Sequence, residues 1–410
     1  MPAVTAPPNA RQQAPIALGE FVALVASLMA LGALGVDAML PALPRMGAEL
    51  GAGGANAQQY VISVYLLGLG VGQLVHGPLA DHWGRRPVML AALATYLVAN
   101  VAAAAAQGFP LLLAARFTGA VAVAATRVVT IATVRDCYAG RPMAKVMSLA
   151  ATVFMIAPVL APTLGGGVLL LGSWRLIFGL IAGLTAIVLA WYARRLPETL
   201  APGDRIAFSP ARTWLGVRQT LGNRGSFGYL LASTALQGAL FGYVNSVGQI
   251  VGETFGAAPR LGLVFAATAG AMAAASLVNS QAVLRFGSRI LSQAALVLLI
   301  AGSLAALGTA AAGRETLLAF VVLQALALGC FSLANANFSA LAMADMGGIA
   351  GTASSVQGFC SITGGSLLGA AIGQAYVGTT VPLHAGFLLA GLAAFAVVAA
   401  TERGRLFRPG

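Results

Sequence analysis

Charge is scarce in this chain. Asp, Glu, Lys and Arg make up 8% of its 410 residues, against about a quarter in ordinary soluble domains. Hydrophobic residues reach 59%, and the mean hydropathy is +0.87. That balance excludes a soluble globule and implies a polytopic membrane protein. Lysine is all but missing, Lys145 being the single instance. The 23 basic against 11 acidic residues leave a net charge of +12. In a soluble chain this excess would suggest nucleic acid; here the basic residues punctuate apolar runs of ~20 residues, as membrane topology requires, and no nucleic-acid partner is expected. Three cysteines, Cys137, Cys330 and Cys360, show no CxxC spacing, so neither a disulfide framework nor a metal site is indicated. His76, His82 and His384 are scattered, and there is neither a Walker A loop nor a Gly-x-Ser-x-Gly elbow. Neither an enzyme nor a bound cofactor is expected.

What the chain does have is apolar length. Runs fall at 16–41, 57–79, 88–107, 111–134, 144–171, 174–194, 226–251, 259–283, 290–311, 315–341, 350–376 and 380–401, each near the ~20 residues a span needs. Twelve transmembrane helices follow, an all-α membrane fold. Residues 195–225, rich in Arg, Pro and polar side chains, form the longest connection and divide a six-helix bundle at 16–194 from a second at 226–401. Residues 1–15 read as a disordered tail and 402–410 as a second tail. Counted over alternate loops, 17 of the 23 basic residues lie on one side, which makes both termini and the central loop cytoplasmic. The Ala- and Gly-rich, Arg-for-Lys usage points to a bacterial genome rich in GC, and so to a bacterial cytoplasmic (inner) membrane.

Residues 77–87 put polar side chains between the second and third runs. Asp81, Arg85 and Arg86 are costly in a bilayer, and Gly77, Pro78, Gly84 and Pro87 end helices, so a short aqueous loop is expected. Gly77, Leu79, Asp81, Gly84, Arg85 and Arg86 match the loop 2–3 signature of the major facilitator superfamily, which this stretch resembles; His82 departs from the usual Arg. Residues 279–289 repeat the loop in worn form, with Asn279, Arg285 and Arg289 but no acid, as the two-half architecture of that class implies. The resemblance makes Gly77, Asp81, Gly84, Arg85 and Arg86 a cytoplasmic gate that latches against the eleventh helix.

Two arginines, Arg116 and Arg127, fall inside the fourth run. Eleven residues apart, they share one helix face within about 20°, separated by ~16 Å. A buried Arg faces the bundle interior or a water-filled cavity; the plainer reading is a brace between helices. Asp37 lies about one turn before Pro41 and at the depth of Arg116, so the two are candidate partners. Desolvation favours the neutral acid and a neighbouring guanidinium the anion, so movement between these environments changes proton occupancy. Glu20, ~25 Å away, reads as interfacial.

The surroundings of Asp37 (Val36 to Pro44) resemble the helix 1 end of Bcr/CflA-type drug:proton antiporters. Residues 132–142, with Arg135 and Asp136, resemble the chloramphenicol and florfenicol exporters of that family, although as chemistry the Arg135–Asp136 pair reads as solvated loop. In the fifth run Pro158, Pro162, Gly165 and Gly166 free carbonyls and allow close packing; Pro162, Gly165 and Gly166 match the superfamily's antiporter signature, while Ala157 and Ala161 replace two of its glycines. Tyr65, Met155 and Tyr243 are candidate walls of a substrate cavity beside Asp37 and Arg116.

The resemblance therefore implies a monomeric, proton-coupled antiporter that exports small amphipathic drugs, phenicols first, by alternating access, with protons as coupling ion and the drug and the lipid bilayer as its partners. A transporter of a metabolite such as an amino acid or sugar acid, and a non-transporting membrane receptor, remain alternatives.

Overall fold

A backbone surrounded by hydrocarbon must close its hydrogen bonds within itself, and this chain does so as helix almost throughout. The computed structural model describes residues 14–138, 140–205 and 210–408, with the side chains of 140, 141, 144, 151–159, 210, 212, 213 and 348 left out. The long helices are α1 Leu18–Asp37, α2 Tyr60–Trp83, α3 Arg85–Ala104, α4 Phe109–Val123 with its continuation Ala125–Cys137, α5 Gly140–Leu170, α6 Arg175–Arg195, α7 Arg224–Gln249, α8 Leu261–Phe286, α9 Ser288–Ala311, α10 Leu317–Met343, α11 Ala350–Gln374 and α12 Val381–Thr401. Eleven of them, among the described residues, are long and apolar enough to cross a membrane. The remaining one, α5, stands at the fifth apolar run, and residues 160–170 of it form a shorter apolar stretch. No strand occurs among the described residues, so the fold is an all-α membrane fold.

Within the first half α1 packs on α5 and α6, and α4 on α2 and α3; in the second, α7 packs on α11 and α12, and α9 on α10 and α12. Lipid tails are as apolar as leucine, so association rests on close contact between small residues. A Cβ at Gly72 would meet Ala124 and the Val121 carbonyl of α4, and one at Gly242 would meet Ile372 of α11. The halves meet mainly through α2 against α11 and α5 against α8.

Residues 77–87 do not form the expected loop. Helix α2 continues through Gly77, Pro78 and Asp81 to Trp83, and the turn is the single residue Gly84 at φ 104°. Gly77 serves close packing instead: its position faces Ser355 of α11. The worn copy has the same backbone, with Gly287 at φ 78° between α8 and α9. Both glycines combine positive φ with ψ near 160° (160° and 157°), a region essentially closed to other residues.

The first apolar run is broken rather than continuous. Helix α1 stops at Asp37, a 3-10 turn follows at Leu40–Ala42, and a short helix runs over Leu43–Glu49. Pro41 and Pro44 stand within the first two positions of these segments; lacking N–H groups, they cannot extend α1 and suit fresh helix starts.

Candidate functional site

The break after Asp37 leaves carbonyls in the last turn of α1 without helical donors, and α4 supplies one for Gly35. Arg116 of α4, 3% exposed, donates from Nη2 to the Gly35 carbonyl at 2.8 Å and from Nε to the Val61 carbonyl at 3.3 Å. Its guanidinium lies 3.9 Å from the centre of the Tyr65 ring. Tyr65 donates to Gly32 O at 3.2 Å and Tyr96 to Leu31 O at 3.3 Å, with 3.3 Å between the two hydroxyls. Gly35 is a close-approach position, since a Cβ there would collide with both tyrosine hydroxyls. On the other side a Cβ at Gly165 of α5 would run into the Ala38 carbonyl. Helix α5 passes through Pro162 unbroken, with Pro162 and Gly165 buried and Gly166 facing open space. The antiporter-like stretch thus grips the breakpoint of α1.

Asp37 itself is 7% exposed and forms no hydrogen bond or ion pair among the described residues. The expected Asp37–Arg116 pair is not formed: the depths agree, but Arg116 is committed to the carbonyl of Gly35, two residues before Asp37, and to that of Val61 in α2. Asp37 lies within electrostatic reach of Tyr65 and Tyr243. Tyr65 and Tyr243 are themselves buried, and the Tyr243 hydroxyl is 3.1 Å from Thr268 Oγ1, so neither offers surface to a cavity in this structure. The side chains of Met155 and Pro158 lie outside the described residues. Arg127 shares the helix face of Arg116 but not its surroundings, being exposed and without a partner among the described residues.

The halves are bridged at the end where α2 begins. Asn56 Nδ2 donates to the carbonyls of Gln374 and Tyr376 at 3.0 and 2.9 Å, and Gln374 Nε2 donates back to Asn56 O at 2.8 Å. Gln59 donates to Gln249 at 2.5 Å, Gln249 to Asn56 Oδ1 at 3.2 Å, and Ser63 to Asn245 at 3.2 Å. Gln249 ends α7, where the backbone widens into a π turn at Ile250–Thr254, a feature that concentrates at functional positions. At the other, basic end helix α4 makes no extended contact with the second half among the described residues. There Ser276, Leu277 and Val278 of α8 are exposed in succession, whereas Leu261, Val264, Phe265 and Thr268 near its other end are buried. The cleft between the halves opens towards the basic end.

That end carries the Gly84 turn. Arg85, its side chain 5% exposed, lies between Asp81 at 2.5 Å and Asp136 at 2.9 Å. Glu198, just after α6, accepts from the backbone N–H groups of Arg85 and Arg86 at 2.9 and 3.1 Å and of Thr199 and Leu200 at 3.0 Å each. It caps the N-terminus of α3, where a carboxylate is favoured by the orphan donors and the helix dipole. Arg86 donates to Ala193 O at 2.7 Å. Asp136 is therefore an ion-pair partner inside the continuation of α4, which corrects its reading as solvated loop. Glu198 was missed; the visible signal was an acid three residues after the Arg194–Arg195 pair that ends the sixth run. Glu20 is pinned by Arg195 at 2.7 Å and Trp191 at 3.1 Å.

The Major Facilitator Superfamily pattern matches residues 25–370. A Chloramphenicol resistance protein of Pseudomonas aeruginosa is 38% identical over 188 residues, 44% of this chain and 43% of its own. The Multidrug resistance protein MdtL of Escherichia coli is 34% identical over 188 residues, 45% of this chain and 48% of its own. The Uncharacterized MFS-type transporter YdgK of Bacillus subtilis is 32% identical over 217 residues, 52% of this chain and 54% of its own. The matches thus span about half the length of these curated relatives. Among solved structures, the peptide transporter POT in complex with sulfate superposes with a TM-score of 0.73 at 13% identity, covering 98% of this chain and 99% of that one. The human organic anion transporter MFSD10 gives 0.61 at 18% identity, covering 95% and 100%. These two likenesses are of fold.

Proposed function

Because the chain belongs to the Major Facilitator Superfamily, we propose that it is a proton-coupled antiporter that exports small amphipathic drugs, phenicols foremost, from a bacterial cytoplasm by alternating access. The observation that carries this reading is Asp37: a buried carboxylate without a partner among the described residues, at the point where α1 breaks and where α4 and α5 hold the broken end. A carboxylate so placed can be charged or neutral according to whether water reaches it, and its protonation state acts on the one bendable point of α1. The relatives named for chloramphenicol and multidrug resistance support the substrate class.

The basic end is cytoplasmic in this reading, by the excess of Arg there. The cleft then faces inward, and the amide seal of Asn56, Gln59 and Gln249 closes the outer side. Drug enters the cleft from the cytoplasm or inner leaflet, the halves rock about the α2–α11 and α5–α8 contacts, and the seal parts. Outside, a proton reaches Asp37 and displaces the drug; the neutral acid then permits return. The Arg85 cluster keeps the α2–α3 turn rigid while it docks against α11. The protein acts as a monomer in the inner membrane.

The test is uphill drug efflux from proteoliposomes under an imposed pH gradient, beside a drug-susceptibility panel in an efflux-deficient host. Wild type should drive phenicol efflux and raise resistance; Asp37→Asn should lose gradient-driven efflux yet retain drug binding. Equal uphill efflux by both would remove Asp37 from coupling.

A further inference from the structure

Arg127 has no role in the scheme above, and its surroundings are unusual for a charge inside a span. It lies within the continuation of α4, ten residues before Cys137, or ~15 Å from that end of the helix. It is exposed, and its guanidinium meets neither an acceptor nor a carboxylate among the described residues. Exposure to lipid is excluded by direction. The exposed residues in the first part of α4, Leu111, Ala114 and Thr118, point about 170° away from Arg127 at 100° per residue. Arg127 shares its stripe with Arg116 and with Val123 and Val134, all buried. A side chain that points inward and is still exposed must face water, and the water is that of the cleft, since α4 makes no extended contact with the second half.

No acidic side chain pairs with it among the described residues. Asp81 and Asp136 are held by Arg85, and Glu198 by backbone N–H groups at the rim. Asp37 is at the depth of Arg116, ~16 Å further along the axis. An arginine within a membrane-spanning helix, facing the bundle interior or its water, pairs with a carboxylate, a carbonyl or a ligand. Arg116 takes carbonyls. Arg127 has neither among the described residues, and its planar fork matches a flat group with two acceptor oxygens.

We propose that Arg127 is a substrate subsite in the cleft that binds the two-oxygen acceptor end of an amphipathic solute, a carboxylate or the nitro group that is its neutral isostere, with the apolar body reaching towards the break in α1. This rests on the exporter reading and narrows its substrate class: amphipathic cations are disfavoured, and solutes bearing a carboxylate, nitro or sulfonyl end are favoured. The subsite also orients the solute, acceptor end towards the basic opening and apolar end towards Asp37, so the proton site and the polar anchor lie at opposite ends of one ligand.

The test is equilibrium binding to the full chain in lipid nanodiscs of four N-phenylbutanamides that differ only at the para position: carboxylate, nitro, methyl and aminomethyl. The carboxylate and nitro compounds should bind about tenfold more tightly than the methyl compound, as hydrogen bonds to a charged group allow, and the aminomethyl compound most weakly. Arg127→Gln should bring the first two to the level of the methyl compound, with an unfolding midpoint within a few degrees of wild type as the evidence of folding. Arg127→Lys should keep the carboxylate preference and lose most of the nitro preference, because a point charge cannot reproduce the fork. The wild-type ranking tests the proposal even if a variant fails to fold. Aminomethyl binding as tight as carboxylate, an equal loss for all four in Arg127→Gln, or no binding of any would each overturn it. Phenicol efflux that persists with a flat ranking would sink the subsite alone; the expected ranking without efflux would sink the exporter reading alone.

Discussion

Arg116 donates to the carbonyl of Gly35 and leaves the carboxylate of Asp37, two residues on, without a partner among the described residues. The two residues were expected as an ion pair because their depths agree. The cause of the difference is the broken helix: its freed carbonyls are nearer and as demanding as the acid, and a guanidinium with several donors satisfies two backbones at once.

Stability should therefore separate the two residues. Arg116→Ala removes bonds to α1 and α2 and uncovers a buried ring, and should cost about 2–4 kcal/mol. Asp37→Asn breaks no bond present in the structure and should shift stability by less than about 1 kcal/mol. Thermal unfolding of the two purified variants in detergent measures this, and a larger loss for Asp37→Asn would contradict the geometry.

Gly35→Ala should be worse tolerated than its chemistry suggests. The added methyl meets the Tyr65 and Tyr96 hydroxyls, and overpacking of this kind costs about 1–3 kcal/mol. Gly32→Ala, one turn earlier, has open space and should be near neutral in the same assay.

Gly84 should resist every substitution. Its backbone lies at φ 104° and ψ 160°, and a Cβ would come 2.9 Å from Glu198 Cδ. Gly84→Ala should cost about 1–3 kcal/mol. Glu198→Ala, which abandons four N–H groups, should match it, and the double variant should fall short of the sum because both act on one turn.

The seal predicts a shift in population. Gln249→Leu removes the bonds to Gln59 and Asn56, each worth about 1 kcal/mol net, and should move the equilibrium towards the form open at that end by roughly thirtyfold. Spin labels at Asn56 and Tyr376 neighbours, read by pulsed EPR distances, should show the longer separation growing; an unchanged distribution would mean that apolar contacts alone hold that end.

Much of this was readable beforehand. Apolar length placed the helices, and the loop signature pointed to the α2–α3 turn, where Gly84 proved to be the whole of it. The depth of Asp37 and Arg116 followed from counting residues along two antiparallel spans. The partners could not be read, because they arrive from remote elements. Glu198 reaches the α3 terminus from 113 residues away along the chain, and Gln249 reaches Gln59 from 190. Neutral amides such as Asn56 also carry no signal in composition, since an isolated Asn at a span end has many ordinary uses. His384 looked scattered for the same reason; it is 2.8 Å from Glu315 at a join between α10 and α12.

The bonds that join the halves at the sealed end run between amides, hydroxyls and backbone carbonyls, whereas each ion pair found among the described residues stays within its own half. Parting that seal separates no opposite charges. Ionic strength should accordingly leave the rate at which that end opens almost untouched. Salt would be felt only by the rigid parts that do not move against each other.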